Sequence, residues 1–251
     1  MFGNLTPITR NIVILNVLVY LLSNFVFKDW YNTLSAFYPF SPNFHPWQVI
    51  THMFMHAPMG EGMGITHIIF NMFTLISFGP VLEQVLGQKK YLILYFVSGM
   101  GSFVLFNLWN FYQVNEVASQ LKTVGVDLAE IYRRADIRYQ GDMMINTVNP
   151  QGQALSQELF SALRSPMLGA SGAIFGIVAA FATLFPDAKL MFMFIPFPIK
   201  AKYLLPIIII VSVYLGLSGN VGGIAHFAHV GGAIAGFLLA KIWKRNQYRI
   251  N

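Results

Sequence analysis

The sequence predicts an all-α polytopic membrane protein, a bundle of six transmembrane helices in a single membrane domain spanning residues 1–251. Three observations carry this. Only 10% of the 251 residues are charged, against about 25% in an average soluble domain, while 55% are hydrophobic. The charges are segregated, so that long stretches carry none. Six apolar stretches reach or approach the roughly 17 to 25 residues that cross a bilayer. They run Ile12 to Val26, Ile65 to Val85, Tyr91 to Phe111, Ala170 to Leu184, Tyr203 to Leu217 and His226 to Trp243.

Each element has its own local signal. Arg10 followed by the run Ile12 to Val26 has the look of a secretory signal, but Asn24-Phe25-Val26-Phe27 is too bulky for a cleavage site, so an uncleaved first span is expected. The loop Phe37 to Trp47 is rich in Phe, Tyr and Pro, with Trp30 and Trp47 near its edges, and aromatic rings favour the headgroup level. The connection from about 111 to 168 is the polar part of the chain. Within it, Ala118 to Tyr139 reads as an amphipathic helix and Asn149-Pro150-Gln151-Gly152 as a turn. Leu190 to Ile199 is too short to span and carries Pro196 and Pro198, which predicts an interfacial or hairpin-like connection. There is no internal repeat and no low-complexity tract.

Charge orients the bundle. An even number of spans puts both termini on one side. That side holds Arg10, Lys89, Lys90, Lys189, Lys200, Lys202, Lys241, Lys244, Arg245 and Arg249. Lys28, Lys122, Arg133, Arg134, Arg138 and Arg164 fall on the other, five of them in the long loop, whose length weakens their vote. Both termini are therefore expected to be cytoplasmic. The net charge of +6 is explained by cationic loops and is no nucleic-acid footprint. With no cysteine there is no disulfide and no thiolate metal site.

This orientation brings the starts of spans two, four and six to the outer face, and those starts carry His67, Ser171 and His229. Ser171 lies in Gly169-Ala170-Ser171-Gly172, where a polar loop turns apolar. Alone, such a motif most often serves helix packing, because small residues let helices approach. Gly172 and Gly176 share one face, as do Gly232 and Gly236, which suits a tight contact between spans four and six. That contact would carry Ser171 to His229. A serine hydroxyl needs a base, and imidazole suits that role near neutrality. None of the ten Asp and Glu residues lies in a span near this end, so a Ser-His dyad is expected rather than a triad. His67 and Asn71 are four apart on one helix face, and either interhelical hydrogen bonds or support of a developing oxyanion fits them. The Ser171 backbone N–H, at a helix start, is a third donor. His226 lies three before His229, and the residues alone leave open which is the base. His52 and His56 have a zinc-ligand spacing, but Met53 stands where a zinc-protease motif needs Glu, so no metal and no cofactor are expected.

Together these pieces resemble the rhomboid family of intramembrane serine proteases, bacterial six-helix type. They are Trp47 with Thr51-His52-x-x-Met55-His56, His67-x-x-x-Asn71, Gly79-x-x-x-Glu83-x-x-x-Gly87, Gly169-Ala170-Ser171-Gly172 and Ala228-His229-x-x-Gly232-x-x-x-Gly236. They occur in family order, in the first connecting loop and on spans two, four and six. The resemblance implies a Ser171 nucleophile, a His229 base, and an oxyanion site of His67, Asn71 and the Ser171 amide. It implies packing roles for the motif glycines and Glu83. It further implies cleavage of transmembrane protein substrates near the outer face of the lipid bilayer, in a bacterial inner membrane, and a flexible cap at Ser218 to Ala225.

The chain departs from the family pattern in the Gly- and Pro-bearing segment Ala57 to Thr66, about six residues longer than the compact bacterial pattern. That puts the places of His52 and His56 in question. The long loop is a second departure, able to restrict access, to bind a substrate's outer segment, or to be a passive surface. Two other classes compete with a hydrolase. A catalytically silent relative would usually lack the serine or histidine, and both are present. A transporter would need ionisable groups along the spans, whose interiors have none beyond histidines at one end.

Overall fold

A computed structural model of the chain describes residues 5–60, 64–143, 149–192, 195–217 and 223–247. The chain is mostly helical. In order, the elements are α1 (Pro7–Phe25), α2 (Trp30–Leu34), α3 (Gln48–Thr51), α4 (Gly64–Leu86), α5 (Gln88–Thr123), α6 (Leu128–Ala135), α7 (Pro150–Arg164), α8 (Ser171–Leu184), β1 (Lys189–Phe192), β2 (Ile195–Lys200), α9 (Leu204–Leu217) and α10 (Gly223–Gln247). Each of the six apolar stretches lies largely within one helix. By length and apolarity α1, α4 and α5 can each cross a membrane, whereas α8 and α9 are shorter apolar helices. Their outward faces are strongly apolar: Phe70, Phe73, Ile210 and Tyr214 are among the most exposed side chains, as a lipid-facing surface requires.

The core is built around α8. Nearly all of its residues are buried, from Gly172 through Ala182 with Phe175 as the exception. It packs against α10, α5 and α4. Small residues make this possible. A Cβ on Gly232 would lie 1.9 Å from the Gly172 carbonyl oxygen, and one on Gly236 would lie 2.1 Å from that of Gly176. Backbone thus meets backbone, as the glycine spacing predicts. A second seam joins α5 to α10 at Gly101 and Gly231, and Ser98 and Ser102 of α5 fill the space over Gly176 and Gly172.

The long connection is a structured unit. At about 1.5 Å per residue, the 36 residues of α5 extend roughly 54 Å, well beyond a bilayer core of about 30 Å. The surplus carries Val114, Val117 and Leu121, which pack with Ile131, Ala135, Leu159 and Leu163 of α6 and α7 and with Tyr38. Two expectations are corrected here. The amphipathic helix expected over 118–139 is two helices, because α5 ends at Thr123 and Gly125 takes a left-handed φ of +73°. Asn149-Pro150-Gln151-Gly152 is a helix start, not a turn. The Asn149 side chain accepts from the Gln151 N–H, and Pro150 occupies the first position, where a missing N–H costs nothing.

β1 and β2 pair antiparallel, Leu190 with Ile199 and Phe192 with Ile195, in keeping with a hairpin-like connection, and 193–194 fall outside the described residues. In the insertion after His56, α4 begins at Gly64, slightly earlier than expected, and 61–63 fall outside the described residues. The expected cap, Ser218 to Ala225, lies outside them at 218–222.

Candidate active site

Ser171 is the first residue of α8, so its N–H has no acceptor within that helix. It is reached through Gly169, whose φ of +119° is a conformation glycine adopts readily. The Gly169 N–H donates to the His52 carbonyl at 3.0 Å. That bond fixes the loop before Ser171 to the segment carrying His52 and His56. The loop is pinned one step earlier by reciprocal backbone bonds between Ala36 and Met167, of 2.8 and 2.7 Å.

His229 projects from α10, and its Nε2 lies 3.0 Å from the Ser171 Oγ across 58 residues of sequence. The glycine contacts between α8 and α10 set that approach. Phe175, one helical turn after Ser171, stacks on the His229 ring at a centroid distance of 4.1 Å and an angle of 5°. The imidazole is thereby oriented by packing. His226 sits edge-on to His229 at 6.1 Å and makes no hydrogen bond to Ser171.

His67 approaches from α4. A Cβ on Gly169 would lie 3.0 Å from its Nε2 and 3.6 Å from the Ser171 Oγ, so the missing side chain leaves open space between them. Asn71 is buried one turn further on. Its amide donates to the His67 carbonyl at 2.8 Å, and a second N–H remains for another acceptor. His56 packs on the His67 ring at 5.2 Å, and His52 donates from Nδ1 to the Gln48 carbonyl at 2.7 Å. Despite the insertion, both histidines lie beside the site. No group of three or more His, Cys, Asp or Glu able to hold a metal occurs among the described residues.

The remaining motif residues brace the surroundings. Trp47 Nε1 and Thr51 Oγ1 donate to the Thr33 and Leu34 carbonyls, at 2.9 and 2.7 Å. Glu83 is buried at the opposite end of α4, against the start of α1. The reading from sequence missed Phe175, Ser98, Gly101 and Ser102. The last three lie in the small-residue run Ser98-Gly99-Met100-Gly101-Ser102, which was a legible signal. A single phenylalanine in an apolar helix gives none.

This arrangement has the parts for acyl transfer: a hydroxyl in contact with an imidazole, and donors around an adjacent space. A rhomboid domain model matches residues 43–125 and 145–246. RHOMBOID-like protein 1 of Arabidopsis thaliana is 27% identical over 203 residues, covering 80% of this chain and 36% of that protein. Rhomboid protein 1, mitochondrial, of Saccharomyces cerevisiae is 27% identical over 175 residues, 68% of this chain and 36% of that protein. Rhomboid protease AarA of Providencia stuartii is 24% identical over 243 residues, 93% of this chain and 71% of that protein. The chain spans between about a third and a half of the length of several of its relatives. With the domain match covering most of its length, and with apolar helices to fit, the chain is an integral membrane protein that belongs to the rhomboid family.

Proposed function

We propose that the chain is an intramembrane serine endopeptidase that cleaves transmembrane protein substrates near the outer membrane face. The observation that carries this reading is the 3.0 Å contact between His229 Nε2 and Ser171 Oγ. In the proposed reaction His229 takes the hydroxyl proton as Oγ attacks the scissile carbonyl. His67, Asn71 and the Ser171 N–H support the oxyanion. Collapse expels the amine, which takes its proton from His229. Water, deprotonated by the same imidazole, then hydrolyses the acyl-enzyme. Phe175 holds the imidazole in plane where a triad would use a carboxylate, whose charge would be costly in lipid.

The proposal extends to setting. Residues 1–251 form one rhomboid membrane domain of six spans, with both termini cytoplasmic, in a bacterial inner membrane. The Lys and Arg distribution supports that orientation. The test of activity is covalent labelling of the purified protein by a fluorophosphonate. Labelling that is absent from Ser171→Ala is expected; equal labelling of both would overturn the reading.

A further inference from the structure

The N–H of Ala57 lies 3.3 Å from His67 Nδ1. An amide nitrogen only donates, so Nδ1 must present its lone pair. A neutral imidazole then carries its proton on Nε2, the nitrogen that borders the open space beside Ser171 Oγ. Among the described residues, His56, packed against His67 and 1% exposed, makes no hydrogen bond to it. Ala57 opens the segment in which this chain is longer than the compact family pattern, so the insertion begins with a contact to the site.

We propose that the backbone amide of Ala57 is a positioning group, which fixes the ring orientation and tautomer of His67 so that Nε2–H faces the space beside Ser171. The inference rests on the oxyanion reading of His67 given above. A ring flipped about its bond to Cβ would exchange Nε2 with Cε1, which borders the same space, and would take Nδ1 away from the Ala57 N–H. The opposite tautomer would turn a lone pair toward a developing negative charge. Ala57 itself touches no substrate and acts through His67.

The test joins a spectroscopic and a kinetic reading. The protein is labelled with ¹⁵N-histidine, and the His67 resonances are identified by their loss in His67→Gln. Nδ1 is expected in the unprotonated range and Nε2 in the protonated range. Ala57→Pro removes the N–H. It should move the His67 Nδ1 resonance and lower kcat about five-fold with KM little changed, the loss of one modest hydrogen bond acting on the transition state. A protonated Nδ1 in the unaltered protein would overturn the proposal, and so would an Ala57→Pro variant with unchanged His67 resonances. If Ala57→Pro does not fold, the spectrum of the unaltered protein decides alone. The tautomer is read without turnover, so failure of the peptidase reading would appear separately, as absent cleavage by a protein with the expected spectrum.

Discussion

Glu83 of α4 caps α1 from outside that helix: its carboxylate accepts from the Thr9 N–H at 2.7 Å and the Thr9 hydroxyl at 2.9 Å. The Ile8 N–H donates to the other oxygen at 2.9 Å, and the Thr6 hydroxyl also bonds to the carboxylate. Pro7 needs no partner, so two of the first N–H groups of α1 are satisfied by one buried acid. A negative charge at a helix N-terminus is also favoured by the helix dipole. Glu83→Ala leaves these donors unpaired and should destabilise the fold by about 3 kcal/mol or more. Thermal unfolding in detergent should show the loss, and an unchanged midpoint would contradict it. The site is at the other end of α4, so activity measured well below the transition should persist.

The proposed dyad makes a graded prediction. Ser171→Ala and His229→Ala should each reduce cleavage of a transmembrane substrate to background, because the two act as a unit. Asn71→Ala should fall by roughly 10² to 10³ and retain residual activity, since other oxyanion donors remain. His226→Ala should be milder than His229→Ala, because His226 does not reach Ser171. An inactive His226→Ala beside an active His229→Ala would reverse the assignment of the base.

The α8–α10 seam has no room for a methyl group. Gly232→Ala would press Cβ onto the Gly172 carbonyl, which cannot swing aside as a flexible side chain could. Overpacking of this kind costs about 1 to 3 kcal/mol, and it should also widen the Ser171–His229 contact. Stability and turnover are expected to fall together. Ile234→Leu, on the exposed face of the same helix, should change neither. Normal stability and turnover in Gly232→Ala would show that the helices are not so closely apposed.

Asn43 ties the first connecting loop to the helical unit of α6 and α7. Its amide donates to the Ala135 carbonyl at 2.8 Å, and its oxygen accepts from the Ile137 N–H at 2.9 Å. Asn43→Ala should cost about 1 to 3 kcal/mol locally. Hydrogen exchange should accelerate over Leu128–Ala135 and Pro150–Arg164, while α8 and α10 keep their protection. Uniform acceleration throughout would mean that the unit is not separately anchored.

Orientation can be tested directly because the native chain has no cysteine. A cysteine introduced between Gln120 and Gln140 should react with an impermeant thiol reagent in intact cells. Protection there, with labelling near Asn246, would invert the proposed topology.

The sequence by itself determined the apolar helices, the face shared by His67 and Asn71, and the glycine spacing that lets α8 and α10 touch. These properties are local: hydropathy and helical period are written within single segments. It was less informative where two local signals compete. Asn149-Pro150 has turn chemistry and helix-start chemistry alike, and only the residues packed behind it choose between them. Tertiary structure alone decided the 3.0 Å approach of His229 to Ser171, the stacking of Phe175, the cap that Glu83 places on α1, and the contact of Ala57 with His67. Each depends on where helices from separate parts of the chain come to rest, or on how one loop folds back. No run of neighbouring residues encodes such a distance; it is fixed when backbones close on one another at glycines and buried polar groups find their partners.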